Sequence, residues 1–290
     1  MSADGRAVVA IDIGGTKLAV GIVGADGRIH DRRQVRTPRG TDGDALFATL
    51  AEAIDDLGDA VRDAHAVGVG CGGPMTSGGE HVSPLNIHAW RDFPLRARLA
   101  EHCALPIFID NDAKALARGE GWIGAAAGVQ NYIAMVVSTG VGGGIVVDGR
   151  LLDGADGNAG HIGHLIVEPD GAICGCGARG CVEAEASGTA IERMTGAAPE
   201  DAAPEVRERT GRLVGRAIAS VANLLDLQLA VVSGSVALGY GDAFFAAAQA
   251  EIDARCRLDF SAATRVVPGA LRDDGPLVGA AAVALFAHQT

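Results

Sequence analysis

A pattern of apolar strand, glycine turn, apolar strand and polar turn occurs twice in this chain. The first copy is AVVAIDIGGTKLAVGIVGADGRI, with its polar turn at Ala25-Asp26-Gly27. The second is YIAMVVSTGVGGGIVVDGRLL, from Tyr132 to Leu152, with its turn at Asp148-Gly149. Runs rich in β-branched residues on both sides of a glycine turn specify paired strands. The offset between the copies is too long for a solenoid repeat. The chain therefore reads as two related halves, each opening on a glycine-turned hairpin.

Between and after the hairpins the signals alternate. Leu46, Leu50, Ile54, Leu57 and Val61 mark one helical face. Ala66 to Gly70 and Pro106 to Asp110 read as strands, and Leu95 to His102 and Asp112 to Glu120 as helices. Further on come a long helix over Val206 to Leu227, a strand over Leu229 to Val232, and helices over Asp242 to Cys256 and Pro276 to Phe286. Strands alternating with helices mean layered α/β structure. The expected division is an N-terminal lobe over 1–111 and a C-terminal lobe over 112–290. The hinge falls near Asn111, and the last helix packs back on the first lobe.

At 290 residues the chain suits two domains, and 48% apolar residues supply a core for each. A formal net charge of -12 disfavours nucleic acid and anionic membranes as partners. No apolar run is long enough to span a bilayer. Arg28 to Arg39 mixes basic and acidic residues and reads as a solvated surface. Of the 24 basic residues only Lys17 and Lys114 are lysine, and Lys114 is expected on the exposed side of its helix.

The first glycine turn carries Asp12, Gly14, Gly15, Thr16 and Lys17. Glycines without Cβ let backbone N–H groups approach phosphate oxygens. Thr16 adds a hydroxyl, Lys17 a charge, and Asp12 a carboxylate for Mg²⁺. The second turn, Ser138 to Gly144, offers the same chemistry through Thr139, Gly140 and Gly142. One such turn alone is ordinary hairpin geometry. The two together, with Asp12 and Lys17, point to nucleotide phosphates.

Phe108-Ile109-Asp110-Asn111-Asp112 ends an apolar strand with three polar residues, where ligands sit in α/β sheets. Asp112 suits the removal of a proton from a substrate hydroxyl, and equally the capping of the next helix. Asn111 can donate and accept toward hydroxyls. Asp110 reads as a structural neighbour.

Cys174, Cys176 and Cys181 form C-x-C-x4-C, ten residues after His164. Three thiolates and an imidazole complete a tetrahedral zinc with no position left for water, which marks a structural metal. A disulfide beside a free thiol, or three reduced bystanders, are the competing readings. The polar opening Met1 to Ala7 lacks the apolar core of a secretory leader, so a cytoplasmic location is expected and disulfides are disfavoured. Cys71, Cys103 and Cys256 read as core thiols. Glu183, two residues past the last cysteine, would be held rigidly.

Together these motifs resemble the ROK family of sugar kinases and repressors. The matching pieces are AIDIGGTK, CGGP, SPLN, DNDAKA, STGVGGG and GHIGH…CGCGARGCVEAEASG, with a weaker match at VVSGSVA. The resemblance implies a duplicated actin-like, ribonuclease-H-like fold, ATP with Mg²⁺ as phosphoryl donor, and a homodimer or homotetramer. It implies that Asp112 is the base acting on a sugar 6-hydroxyl. It places Gly73, Asn86, Asn111, His164 and Glu183 at the sugar and Gly234 on the adenosine side, where Ser233 replaces a usual glycine. His161 stands where many members have a sugar-contacting glutamate. N-acetylmannosamine kinases of the family share the G-H-I-G-H pattern, whereas Pro84-Leu85-Asn86 and Trp90-Arg91-Asp92 look like glucokinase-type members.

The expected activity is therefore ATP-dependent phosphorylation of a hexose at O6, glucokinase-like, with an N-acetylhexosamine such as N-acetylmannosamine as the alternative acceptor. A sugar-responsive repressor is disfavoured, since too few residues precede Ile11 for a helix-turn-helix. A silent sugar-binding protein and a polyphosphate-using kinase are weaker readings.

Overall fold

The computed structural model describes residues 7–287. The opening Met1 to Ala7 lies, apart from Ala7, outside them. The described chain divides into two compact units. The first runs up to Ile123 and takes in Asp153–Ala159 and the chain from Asp273 onward; the second holds Gly124–Leu152 and Gly160–Arg272.

In chain order the first unit supplies β1 (Val8–Ile13), β2 (Lys17–Val23), β3 (Ile29–Arg36), α1 (Gly43–Asp55), β4 (Val67–Cys71), α2 (Leu95–Cys103), β5 (Ile107–Asn111) and α3 (Asp112–Trp122). The second supplies β6 (Tyr132–Val137), β7 (Val141–Val147), β8 (Arg150–Leu151), α4 (Val182–Ala186), α5 (Gly188–Thr195), α6 (Pro204–Leu225), β9 (Leu229–Ser233), α7 (Ser235–Tyr240), α8 (Asp242–Arg255) and β10 (Arg265–Pro268). The last helix, α9 (Gly275–Leu285), belongs to the first unit.

The two sheets repeat one topology. The first has the order β3-β2-β1-β4-β5, and the second, read from its other edge, β8-β7-β6-β9-β10. In each, the opening three strands form an antiparallel meander, and the fourth and fifth lie parallel to the first. Both sheets are thus mixed, and helical crossovers join their parallel strands, as parallel pairing requires. The repeated hairpin in the sequence is the visible trace of this duplication.

The strands that were legible are those with apolar runs. β3 was not, because it is an edge strand whose charged IHDRRQVR has only exposed and half-buried positions. Charge on an edge blocks pairing with other chains while leaving the backbone free to join β2. The stretch read only as solvated surface is therefore an ordered strand. The long helix also begins earlier than its apolar pattern does, at Pro204, where a missing N–H costs nothing. It ends at Asp226, which adopts φ 54°.

Each sheet has its own core. In the first unit Ile11, Leu18, Leu46, Leu50, Val69 and Trp90 are buried on one face. On the other face, α9 lays Leu277, Ala280 and Ala281 against Val8, Ala10 and Ala19. That helix lies so close that a Cβ on Gly68 of β4 would come within 2.0 Å of the Ala280 carbonyl oxygen. In the second unit Ile133, Met135, Ile218, Val232 and Phe244 occupy the centre. No helix among the described residues is long and apolar enough to cross a membrane.

Candidate functional site

In the first unit, Asp12 lies near the end of β1, in register with Gly70 of β4 on one side and Ala19 of β2 on the other. Gly70 in turn is in register with Asp110 of β5, and a Cβ on it would lie 3.5 Å from the Asp112 Cα. Burial, and then the charge of Asp112, push the Asp12 carboxyl up to about 7, against a smaller opposing pull from Lys17. A buried carboxyl raised in this way beside a second carboxylate attracts a proton or a metal cation.

The turn after β1 is closed by the Gly14 N–H donating to the Lys17 carbonyl at 3.0 Å. Thr37 pins it from β3's end, its hydroxyl donating to the Gly14 carbonyl at 2.7 Å and its N–H to the Thr16 carbonyl at 3.0 Å. Thr16 and Lys17 remain exposed. Gly15 packs directly on Asn86: a Cβ there would lie 2.9 Å from the asparagine's own Cβ. The next residue back, Leu85, donates its N–H to the Gly73 carbonyl at 3.2 Å. Gly15, Gly73 and Asn86, far apart in sequence, are thus neighbours. A cavity of about 580 Å³ opens beside them, lined in part by Gly15, Thr37, Arg39, Asn86 and His88.

At the end of β5 the helix cap is Asn111, whose Oδ1 accepts the Ala113 and Lys114 N–H groups at 3.0 and 3.4 Å. Asp112 is the first residue of α3 and is exposed, with Oδ1 accepting the Ala113 N–H at 2.8 Å. The capping role, one of two readings of Asp112, thus falls to its neighbour. Asn111 keeps its amide NH₂ as a donor. Lys114, expected on the exposed side of α3, is instead 2% exposed. Its Nζ lies 2.8 Å from Asp110 Oδ1 and 2.7 Å from Asp153 Oδ1. The local pattern gave no sign of this because Asp153 lies 39 residues away.

In the second unit, the turn Ser138–Gly140 is braced on three sides. The Gly188 N–H donates to the Ser138 carbonyl at 2.7 Å, the Thr189 hydroxyl to the Thr139 carbonyl at 3.0 Å, and the Ser138 and Ser235 hydroxyls are 2.9 Å apart. Glu183 Oε2 accepts the Val141 N–H at 3.1 Å. Gly142 lies inside β7, in register with Val136. Gly234 bridges β9 and α7 at φ 100° and ψ 155°. A Cβ there would meet the Val137 carbonyl oxygen at 2.4 Å. A cavity of about 540 Å³ is lined by Thr139, Thr189, Glu192, Glu200, Ser235 and Tyr240, among others. Of these, sequence reasoning had singled out only Thr139. Nothing in the pattern of α5 or of the Pro199 turn betrays a ligand surface.

His164, Cys174, Cys176 and Cys181 come together with all four ligand atoms within 4.8 Å of one another. Cys174 Sγ is 3.7 Å from His164 Nδ1, and the sulfurs of Cys176 and Cys181 are 3.8 Å apart. Ordinary zinc bond lengths give tetrahedron edges of about 3.8 Å between sulfurs and about 3.6 Å between sulfur and nitrogen. The four residues therefore fit such an ion. Burial, with the neighbouring thiols Cys174 and Cys176, pushes the Cys181 thiol up to about 12. Glu185 steadies this loop, accepting the Ala172 N–H and pairing with Arg209, both at 2.5 Å. The exposed His161 ring lies nearly parallel to His164, with centroids 6.0 Å apart.

The sequence model of the ROK family matches residues 8–287. The N-acetylmannosamine kinase of Haemophilus influenzae (strain PittGG) is 40% identical over 251 residues, covering 80% of this chain and 82% of that one. Among solved structures, the ROK hexokinase from Thermus thermophilus superposes with a TM-score of 0.83 at 33% identity, covering 98% of this chain and all of that one. The ROK family glucokinase from Streptomyces griseus, in complex with glucose and AMPPNP, gives 0.80 at 28% identity, covering 95% and 98%. The chain belongs to the ROK family. Within it, the chain is an enzyme of the sugar-kinase class.

Proposed function

We propose that the chain transfers the γ-phosphoryl group of ATP to the 6-hydroxyl of a hexose, with N-acetylmannosamine as the preferred acceptor. The observation that carries this reading is the convergence at one sheet end: the exposed Asp112 at the start of α3, Asp12 beside it, and Asn86 packed on the glycine turn of Lys17. Asp112 would take the proton of the attacking hydroxyl. Asn86, Asn111, Gly73, His161, His164 and Glu183 would hold the sugar. Phosphoryl transfer needs chiefly positioning and neutralisation of spreading charge. Lys17, Thr16 and the backbone N–H groups of the turn supply that in the first unit, and Thr139, Gly140 and Gly142 in the second. The cavity beside Thr139 and Gly234 suits the nucleoside.

Mg²⁺, when bound, would neutralise the phosphate oxygens, and Asp12 would hold it directly or through water. A zinc ion held by His164, Cys174, Cys176 and Cys181 would be structural, fixing the loop that leads into α4 and Glu183. With Nδ1 on the cluster side, His164 has Nε2 to offer a sugar hydroxyl. The repeated sheet topology supports the actin-like duplicated fold.

His161 in G-H-I-G-H, together with the identity to N-acetylmannosamine kinases, supports that acceptor. Glucose is the second reading, supported by the likeness to the glucose-bound glucokinase and by Pro84-Leu85-Asn86. Asp112→Asn tests the catalytic assignment. Turnover should fall by about 10²–10⁴-fold while calorimetry still detects sugar binding. Wild-type turnover in that variant would move the base elsewhere. Phosphorus NMR of the product should find the new ester at O6, and an ester at any other carbon would contradict the proposal.

A further inference from the structure

We infer that Lys114 is a positioning residue for phosphoryl transfer, tying the turn that presents Asp112 to the 153–157 segment. This rests on the kinase reading above. Basic residues in this chain are almost all arginine, yet a lysine stands two residues beyond Asp112. Its side chain is 3% exposed. Nζ lies 2.8 Å from Asp110 Oδ1, 2.7 Å from Asp153 Oδ1 and 3.1 Å from the Gly157 carbonyl oxygen. Three oxygens around one nitrogen match the three N–H donors of an ammonium, a demand that a planar guanidinium meets poorly. A charge this buried persists only when so paired.

The contacts lead toward the reacting groups on one side. Asp110 Oδ1 also accepts the Asn111 N–H at 2.8 Å, and Asn111 caps α3 immediately before Asp112. Lys114 therefore fixes the strand end, the cap and the first helical residue together. On the other side it holds Asp153 and Gly157 of one short segment. Within it the Ala159 N–H donates to the Asp153 carbonyl at 2.9 Å, and the chain then continues into Gly160-His161. The ammonium of Lys114 is held by Asp110, Asp153 and the Gly157 carbonyl, none of them assigned to the sugar or the phosphates, so its effect passes through placement. Displacing a reacting group by about 1 Å can cost about 10²-fold in rate.

Two variants test this by different routes. Lys114→Met removes the ammonium. Asp153→Asn keeps the Lys114–Asp110 pair and alters only the half-exposed partner, so it should fold even where the first does not. Hydrogen exchange of the 153–160 amides is read on the whole protein and needs no turnover, so it stands even if no sugar proves to be a substrate. Exchange there should quicken at least tenfold in both variants. In steady-state kinetics kcat should fall about tenfold or more in Lys114→Met and at least threefold in Asp153→Asn, with KM for ATP within twofold of wild type. Unchanged exchange in Asp153→Asn would overturn the tether. Faster exchange with unchanged kcat would overturn the positioning role, as would a rise in KM for ATP that matches the loss in kcat.

Discussion

Replacing Gly234 by alanine tests the second unit's ligand end at one atom. The residue holds φ 100° and ψ 155°, a region that essentially only glycine occupies. Forcing another residue there costs about 1–3 kcal/mol. The added methyl would also sit 2.4 Å from the Val137 carbonyl oxygen and 2.7 Å from its carbon. Ordinary contact begins near 3.4 Å, so β6 and the β9–α7 turn must part by about 1 Å. A combined loss of about 3 kcal/mol is then reasonable, and in a chain of this size it lowers Tm by roughly 6–12 °C. The same turn places Ser235 against Ser138 at the cavity assigned to the nucleoside. KM for ATP should therefore rise about tenfold, corresponding to about 1.4 kcal/mol, while KM for the sugar stays within twofold. Differential scanning calorimetry and a two-substrate kinetic matrix read both effects. A variant with wild-type Tm and wild-type KM for ATP would show that a side chain fits at this turn and that the turn does not shape the nucleotide end.

Other outcomes follow from single contacts. The Ser233 hydroxyl is buried and, among the described residues, has no hydrogen-bond partner; Ser233→Ala should raise stability by about 1 kcal/mol in urea titration, and a loss would show that the hydroxyl is satisfied. The four-ligand cluster should release one equivalent of zinc per chain to a chromogenic chelator after thiol modification, with Tm falling, whereas release of none would favour bare thiols. Asp12 carries a folded-state pKa of about 7 against 3.8 for the free group, so the folded protein retains a proton that the unfolded chain loses between these values. Stability of the Mg²⁺- and nucleotide-free protein should accordingly fall as pH rises through that window, and Asp12→Asn should flatten the fall. Equal slopes in the two proteins would contradict the burial of that carboxylate beside Asp112.

What the sequence revealed was local. The two hairpins, the glycine turns and the Cys–His cluster each lie within a few dozen residues, and each has a residue pattern with one dominant physical reading. The duplication was legible for the same reason, since β1–β2 and β6–β7 carry their strand signal in apolar runs. The edge strand β3 was hidden by its charges, and β10 by having only four residues. Within the candidate site, Asp12 and Asp112 each stood out in a local motif, and Asn86 through the family resemblance. That Gly15 must be glycine because Asn86 packs on it was not, since the contact joins positions distant in the chain. Lys114 was misread because helical position alone cannot anticipate carboxylates arriving from residues 110 and 153. The surface formed by Thr189, Glu192 and Glu200, proposed for the nucleoside, carried no motif, since such a pocket asks for shape more than for particular residues.

The proposed activity is sugar-dependent use of ATP. ADP release should be followed in a coupled assay with N-acetylmannosamine, glucose, N-acetylglucosamine, mannose and fructose, each at saturating ATP and Mg²⁺. The highest kcat/KM is expected for N-acetylmannosamine, with glucose next. Absence of sugar-dependent ADP release across all five would contradict the proposed activity.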